Sequence, residues 1–148
     1  MTGLTIREAV YGDLPRLLEL YTHLHESGIP AETPGLEAIW TGILADPNHH
    51  VIVGEADGSL VSSCVMSVIP NLTRGLRPYA LVENVVTHGQ YRRRGFALAV
   101  LEYAREIASG KGCYKIMLLT GSKSESVLGF YERAGYNRND KTAFIQWI

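Results

Sequence analysis

The stretch that decides the fold covers residues 82–97 and reads Val-Glu-Asn-Val-Val-Thr-His-Gly-Gln-Tyr-Arg-Arg-Arg-Gly-Phe-Ala. Residues 79–86 are apolar or β-branched except for Glu83 and Asn84, which predicts a strand buried on both faces. From Phe96 onward, apolar residues recur at spacings of three and four, which predicts a helix packed on a sheet. A carboxylate inside a buried strand is unexpected, so Glu83 is a candidate functional residue.

The turn between this strand and this helix predicts an anion site. Gly95 permits a tight turn and lets a ligand approach the backbone closely. The free N–H groups of the first helical turn and the positive end of the helix dipole point at the same place, and Arg92, Arg93 and Arg94 surround it. A pyrophosphate fits such a site. On these residues alone, a solvated face and a nucleic-acid patch stay open as alternatives.

Two segments resemble a known family. Arg92-x-x-Gly95-x-Ala97 resembles the acetyl-CoA pyrophosphate signature, Gln/Arg-x-x-Gly-x-Gly/Ala, of the GNAT superfamily of N-acetyltransferases. Residues 124–136 are similar to that family's second cofactor segment, Asn-x-x-Ala-x-x-Phe-Tyr-Glu-x-x-Gly-Phe. The two segments have the family's order and usual separation, and together they are far more specific than either alone. The departures from the second pattern are Ser124, Val127 and Tyr136.

The resemblance implies where acetyl-CoA would bind. In the family fold, two parallel strands splay apart at their carboxyl ends, and the pantetheine arm of the cofactor lies in the gap. An open α/β sheet also ordinarily binds its ligand where strands diverge. The positions that match the family's cofactor contacts are Val85, Val86, Arg92, Arg93, Arg94, Gly95, Phe96, Ala97, Ser124 and Tyr131.

The resemblance also suggests two catalytic residues. Glu83 is the candidate base, acting directly or through water, because burial raises the pKa of a carboxylate toward the operating pH. The alternative is a core carboxyl paired with Arg74 or Arg77. Tyr131 occupies the position where the family commonly places the general acid that protonates the departing thiolate. The alternative is that Tyr131 packs beside Phe130 with its hydroxyl bonded to backbone.

The acceptor side is less well defined by the sequence. In the family, the segment between the first two helices borders the acceptor pocket, so Tyr21 and His25 are expected substrate contacts. Glu83 and Thr120 are the other two expected substrate contacts. The alternative is that Tyr21 fills the core and His25 is solvated. Strand alternation predicts that Asn84 faces away from Glu83.

A narrower resemblance concerns the acceptor. Residues 82–85, 112–118 and 130–135 are similar to glucosamine 6-phosphate N-acetyltransferases, in which the first segment reads Ile-Glu-Asp-Ile. Those enzymes are dimers whose acceptor site uses both chains, which implies a homodimer. Asn84 replaces the aspartate of that acidic pair, and the N-terminal half shows no comparable match.

The sequence therefore predicts an acetyl-CoA-dependent N-acetyltransferase that acts on a primary amine of a small molecule by direct attack in a ternary complex. Three alternatives are kept: phosphosugar specificity, a catalytically silent acyl-CoA-binding protein, and a nucleic-acid module that uses the arginines.

Length and composition set outer limits. The chain has 148 residues, 46% hydrophobic and 20% charged, which suits one domain over residues 1–148. No apolar run approaches the ~18 residues of a membrane span, and the N-terminus lacks a signal segment, so the cytosol is the expected location. A net charge of −1 argues against nucleic-acid binding. The two cysteines form no zinc motif, and no metal is predicted.

The predicted fold class is α+β (α/β), a GNAT fold with a mixed sheet of about six to seven strands and about four helices. Hairpins make the first half of the sheet antiparallel, and the strand–helix–strand crossover makes the two central strands parallel. Residues 136–138 and 143–147 are predicted to close the sheet as a final pair of strands.

Overall fold

The computed structural model describes residues 3–24 and 28–148. Its strands are β1 (Thr5–Glu8), β2 (His49–Ala56), β3 (Ser59–Ile69), β4 (Tyr79–Thr87) and β5 (Ile116–Leu118). Its helices are α1 (Leu14–Tyr21), α2 (Pro34–Ala45), α3 (Phe96–Gly110) and α4 (Glu125–Arg133). In the described ranges, no helix combines the length and apolar character needed to cross a membrane.

The sheet is mixed, as the sequence predicts. The strands lie in the order β1-β2-β3-β4-β5, and the first four are antiparallel neighbours. β5 pairs with β4 in parallel, because α3 carries the chain across the sheet between them. The predicted α+β class, the four helices and the antiparallel first half are confirmed.

Helices cover both faces of the sheet because its strands carry apolar residues on both sides. In β2, Ile52 packs in the cluster under α3, whereas Val51 and Val53 pack in the cluster under α1 and α2. The turn between β2 and β3 contains Asp57 and Gly58 with φ of 53° and 76°, the left-handed conformations that a tight hairpin requires. The core is therefore two apolar layers with the sheet between them.

The predicted strand count is wrong at the C-terminus. Residues 136–138 and 143–147 form no strand, and the described sheet has five strands instead of six or seven. Apolar, β-branched sequence favours a pleated environment that buries it, and strand formation also needs a hydrogen-bonding neighbour. Residues 141–148 have neither among the described residues, and every one of them is exposed, whereas Tyr136 packs against Tyr131 at the end of α4 without pairing to a strand.

A buried ion network ties the first helix to the sheet. Asp13 is 1% exposed and accepts hydrogen bonds from Arg7 at 2.6 and 3.0 Å and from Arg16 at 2.8 Å. Glu55 accepts from the same two guanidinium groups. The bond from Arg7, helped by the Val10 N–H and by Arg16, holds the pKa of Asp13 well below its ordinary value.

We expect Asp13→Asn to lower the free energy of unfolding by about 2–4 kcal/mol at pH 7, because a buried neutral amide cannot replace the carboxylate that accepts from Arg7, Arg16 and the Val10 N–H. A carboxylate with a lowered pKa contributes stability above its unfolded pKa of about 3.9, and that contribution disappears as the pH falls through the folded value. The difference from wild type should therefore shrink progressively below about pH 4. Urea titrations across pH measure it, with Glu19→Gln on the exposed face of α1 as the control. Equal stability losses in the two variants would contradict the role given to Asp13.

Candidate active site

A cleft opens where β4 and β5 part. The two strands pair only from Ala80 to Val82 on β4, opposite Ile116 to Leu118 on β5. Beyond Val82, β4 continues to Thr87 without a strand neighbour on that side among the described residues. This is the splay expected from the resemblance, and main-chain groups on this side of β4 lack a ladder partner there.

A β-bulge interrupts β4 at the mouth of the cleft. The register between β3 and β4 shifts between Ser63 and Val65, and Asn84 has a φ of 53°. Val82 and Val85 both pack against the cluster under α3, although residues three apart in a regular strand face opposite sides. Left-handed conformations of residues other than glycine often occur at functional sites.

The bulge overturns two predictions about the acidic segment. Glu83 and Asn84 are both exposed, so the burial expected of Glu83 is wrong. Asn84 lies beside the Tyr21 hydroxyl on the α1 side of the sheet, because the extra residue of the bulge removes the alternation that would turn it away from Glu83. Both polar side chains therefore lie on the solvent-accessible side of the strand at the cleft.

The alternative of a core ion pair at Glu83 is also wrong. Arg77 donates to the carbonyls of Gly112 and Cys113 at 3.3 Å, and Arg74 stacks over the Tyr114 ring at 5.2 Å. In the part of the chain that the structure describes, no cation lies within ion-pair distance of Glu83. Its carboxylate is available to a ligand.

The main-chain N–H and C=O groups at the end of β4 point alternately toward β3 and toward the cleft. The Val86 carbonyl accepts a hydrogen bond from Ser62 Oγ at 3.1 Å, and the His88 N–H donates to the Val61 carbonyl at 2.8 Å. Residues 86 and 88 thus direct their main-chain groups toward β3, which turns those of Val85 toward the cleft. The geometry favours Val85 over Val86 as a main-chain contact for a ligand.

A row of free donors begins α3. The first backbone bond at the start of α3 runs from the Ala99 N–H to the Gly95 carbonyl at 3.0 Å, which leaves the N–H groups of Phe96, Ala97 and Leu98 without a backbone acceptor among the described residues. Gly95 has a φ of 80°, and a Cβ built on it meets no atom within 4 Å, so space is open in front of the turn. Phe96 is buried, and only its backbone can contact a ligand. These donors and the helix dipole favour an anion.

The three arginines border this turn in different ways, and all three are exposed. Arg92 is anchored, since its Nε donates to the Thr87 carbonyl at 3.2 Å and Nη2 donates to the His23 carbonyl at 3.4 Å. Arg94 stacks over the Tyr91 ring at 5.0 Å. The arginine cluster is therefore local and centred on the start of α3.

Two histidines hold the loop before this turn, and the sequence did not reveal them. His23 Nδ1 accepts from the Gly89 N–H at 3.3 Å, and His88 Nδ1 accepts from the Gln90 N–H at 3.1 Å. The ring centroids are 4.0 Å apart. Burial, His88 and Arg92 lower the pKa of His23, which favours the neutral ring that can accept this bond. His88 could have been identified as a local cap, whereas nothing in the sequence links His23 to this loop.

Tyr131 on α4 is half-buried and packs against the core cluster that contains Ala80 and Val82 of β4. Its ring packs against Phe130 and Tyr136, with centroids 5.1 and 6.2 Å away. Burial raises the pKa of Tyr131. Its hydroxyl bonds to no acceptor among residues 3–24 and 28–148, so the alternative of a backbone-bonded hydroxyl is not observed.

The remaining predicted residues lie at the ends of elements. Ser124 caps α4 without a side-chain capping bond, which leaves its hydroxyl available. Thr120 Oγ1 accepts from the Ser122 N–H at 3.2 Å, just beyond β5. Tyr21 packs in the core under α1, and burial raises its pKa to about 12, an effect that Ser63 and Asn84 partly oppose. His25 lies outside the described residues.

Comparisons with known proteins identify the family of this chain. The profile of the family described as "Acetyltransferase (GNAT) family" matches residues 14–136. The chain is 31% identical over 147 residues to the glucosamine 6-phosphate N-acetyltransferase of Trypanosoma brucei brucei, a match that covers 95% of this chain and 94% of that protein.

Solved structures share the fold. A putative acetyltransferase from Agrobacterium tumefaciens str. C58 superposes with a TM-score of 0.88 at 40% identity, covering 97% of this chain and 99% of that one. The structure of AAC(6')-Iy in complex with the bisubstrate analogue CoA-S-monomethyl-acetylneamine has a TM-score of 0.79 at 17% identity, covers 99% of both chains and supports the fold alone. The chain therefore belongs to the GNAT family of acetyltransferases and is an N-acetyltransferase.

Proposed function

We propose that this enzyme transfers the acetyl group of acetyl-CoA to a primary amine of a small molecule, by direct attack in a ternary complex. The observation that carries the proposal is the row of free N–H groups at the start of α3. Three arginines border this row, and it lies next to the open gap between β4 and β5. A diphosphate matches these donors in charge and in hydrogen-bonding character. AAC(6')-Iy, a protein of the same fold, has been solved with a CoA-based bisubstrate analogue.

The residues that would hold acetyl-CoA form a continuous path along the cleft. The turn from Arg92 to Ala97 would bind the diphosphate, and the main chain of Val85 would hydrogen-bond the amide-bearing arm. Ser124 and Tyr131 border the opposite side. When bound, acetyl-CoA supplies an acetyl group activated as a thioester.

Glu83 is the proposed base. Its carboxylate is exposed at the mouth of the cleft and free of cations among the described residues, so it can accept a proton from an incoming ammonium group directly or through water. Asn84, displaced by the bulge to the same side, offers an amide next to it that can hold the amine.

Two donors complete the chemistry. The main-chain N–H of Val85 can donate a hydrogen bond to the acyl oxygen, which gains negative charge when the amine attacks the thioester carbon. Tyr131 can donate its hydroxyl proton to the departing sulfur, because a phenol is protonated at neutral pH. The proposal thus gives each group one role in the transfer.

One relative favours a narrower class of acceptor. The full-length match to the Trypanosoma brucei brucei protein makes an amino sugar phosphate the first acceptor to test. The proposal also includes a homodimer, as the resemblance implies, and the cytosolic location stays a prediction.

Turnover across a panel of amines tests the proposal. We expect release of free thiol from acetyl-CoA, followed with a thiol reagent, to depend on an added primary amine. The panel pairs glucosamine 6-phosphate with glucosamine. A kcat/KM about tenfold or more higher for the phosphorylated sugar would show that the enzyme recognises the phosphate group of its acceptor. Tight CoA binding with no turnover on any amine would instead support a silent acyl-CoA-binding protein.

A further inference from the structure

The end of α1 lies against the loop that leads from β4 into α3. Leu20 and Leu24 anchor this end, because both pack in the core cluster under α1 and α2. The His23 N–H donates to the Leu20 carbonyl at 3.0 Å, and the Leu24 N–H donates to the Tyr21 carbonyl at 3.0 Å. The core therefore fixes the main chain at His23, while the ring and the carbonyl of His23 contact the loop.

His23 holds this loop at two separate points. Its ring Nδ1 accepts from the Gly89 N–H at 3.3 Å, and its carbonyl accepts from Arg92 Nη2 at 3.4 Å. A Cβ built on Gly89 would meet Nδ1 at 3.6 Å and Cε1 at 3.9 Å, so the ring lies directly against the Gly89 backbone. One residue thus contacts the beginning of the loop with its side chain and the first of the three arginines with its main chain.

The turn that follows the loop needs such support because its backbone is strained. Arg93 has a φ of 63° and Gly95 has a φ of 80°, and a residue other than glycine adopts this left-handed region only at a cost in energy. A strained turn persists when its surroundings hold it in place. On the loop side, the His23 and His88 ring centroids are 4.0 Å apart, and His88 Nδ1 accepts from the Gln90 N–H at 3.1 Å.

We propose that His23 is a positioning residue for cofactor binding, which holds the loop and Arg92 in the arrangement that receives the diphosphate of acetyl-CoA. The inference rests on the proposed function, because that function assigns the diphosphate to this turn. No step of the reaction is assigned to His23, which acts through the Gly89 N–H and through Arg92. The bond from Gly89 needs a ring nitrogen with a free lone pair, so only the neutral ring can accept it.

The affinity for the cofactor should therefore depend on the protonation of His23. Burial, then His88 and then Arg92 lower the pKa of His23 from its ordinary value of about 6.5, and these two residues are the ionisable groups that face its ring among the described residues. The ring is neutral at pH 7.5 and gains a proton as the pH falls below about 6.5. The charged ring would direct an N–H at the Gly89 N–H and add positive charge next to Arg92, so the affinity should decrease.

Two substitutions separate the hydrogen bond from the bulk of the ring. In His23→Asn, the amide oxygen is attached to Cγ, as Nδ1 is, so it can accept from Gly89 at every pH. In His23→Ala, this acceptor is absent at every pH. At pH 7.5, calorimetric titration with coenzyme A should give His23→Asn an affinity within about twofold of wild type and His23→Ala an affinity about three- to tenfold weaker, the range expected for one hydrogen bond.

The pH profile distinguishes a positioning role from a merely structural one. As the pH falls to about 5, the affinity of wild type relative to His23→Asn should fall to the level of His23→Ala. Taking the ratio removes the titration of the phosphates of coenzyme A, because all variants bind the same ligand. His49→Ala is the control and should match wild type, since strand pairing places half-buried His49 at the end of the sheet opposite Gly89.

Amide NMR of the ligand-free enzyme gives a readout that does not depend on binding. The Gly89 amide signal should shift with the titration of the His23 ring in wild type and stay constant over the same pH range in His23→Asn. A Gly89 signal that does not respond to the titration of His23 in wild type would contradict the hydrogen bond and overturn the inference.

Four results of the titrations would also overturn the inference, and only the last contradicts the proposed function as well. Equal affinities of wild type and His23→Ala at pH 7.5 would remove the positioning role. Equal losses in His23→Ala and His23→Asn would assign the effect to packing of the ring against His88. A wild-type affinity that rises relative to His23→Asn at low pH would mean that the charged ring attracts the ligand itself. No binding of coenzyme A by wild type would contradict both.

Discussion

Replacing Gly95 with valine is expected to weaken the binding of coenzyme A by about a hundredfold or more while the enzyme stays folded. Gly95 has a φ of 80° and begins α3, where a Cβ meets no protein atom within 4 Å. The space that valine would fill is thus open to a ligand, and it lies in front of the free N–H groups. A valine there both strains the turn and blocks the approach of a diphosphate to the backbone.

Gly112 provides a matched control for the strain. It has a φ of 79°, and a Cβ built there also meets nothing within 4 Å, but it lies at the far end of α3. Gly112→Val should therefore lower the melting temperature about as much as Gly95→Val and leave coenzyme A affinity unchanged. Calorimetric titration of both variants measures the difference. Similar affinities in the two variants would place the diphosphate elsewhere.

Replacing Tyr131 with phenylalanine is expected to lower kcat by about a hundredfold with less than about a twofold change in the affinity for acetyl-CoA. The change removes only the hydroxyl, which bonds to no acceptor among the described residues, so packing against Phe130 and Tyr136 is kept. The lost function is the donation of a proton to sulfur.

Tyr136→Phe is the control for this experiment. Tyr136 lies 6.2 Å from Tyr131 between ring centroids, and burial raises its pKa to about 12, but no role in the reaction is assigned to it. Steady-state kinetics should show near-normal kcat for Tyr136→Phe. If the two variants lose activity equally, or if Tyr131→Phe loses cofactor affinity in proportion to kcat, the role of general acid is wrong.

The strand, turn and helix around Gly95 were predictable because their features are local. The strand before it, Gly95 at the turn and the periodic helix after it are consecutive in sequence, and the conformation of such a unit follows from its own residues. The hydrogen bond from Arg92 to the His23 carbonyl could not be predicted from the sequence, because it depends on the position of the end of α1 in the fold.

Glu83 shows why the environment of a predicted site residue is harder to infer. The apolar run around it is typical of a strand buried on both faces, yet the bulge at Asn84 and the brief pairing with β5 leave it exposed. Both features arise from the neighbouring strands. The residue type was therefore informative, whereas its burial depended on tertiary structure.

The C-terminal segment shows the same limit at a larger scale. Its apolar pattern predicts a strand, and the prediction fails because the segment has no strand neighbour among the described residues. A sequence pattern records what environment a segment favours, and it does not record whether the rest of the fold supplies that environment.

Calorimetric titration with coenzyme A and with pantetheine, on protein purified free of both, tests the central claim most directly. Pantetheine keeps the arm and the thiol but lacks the diphosphate together with the 3′-phosphoadenosine, so the Gly95→Val variant, titrated alongside, assigns the difference to the turn. If the arginine-bordered turn binds a diphosphate, coenzyme A should give a saturable one-to-one isotherm, and pantetheine should bind about a hundredfold more weakly or not measurably. No heat with coenzyme A, or equal affinities for the two compounds, would contradict the account.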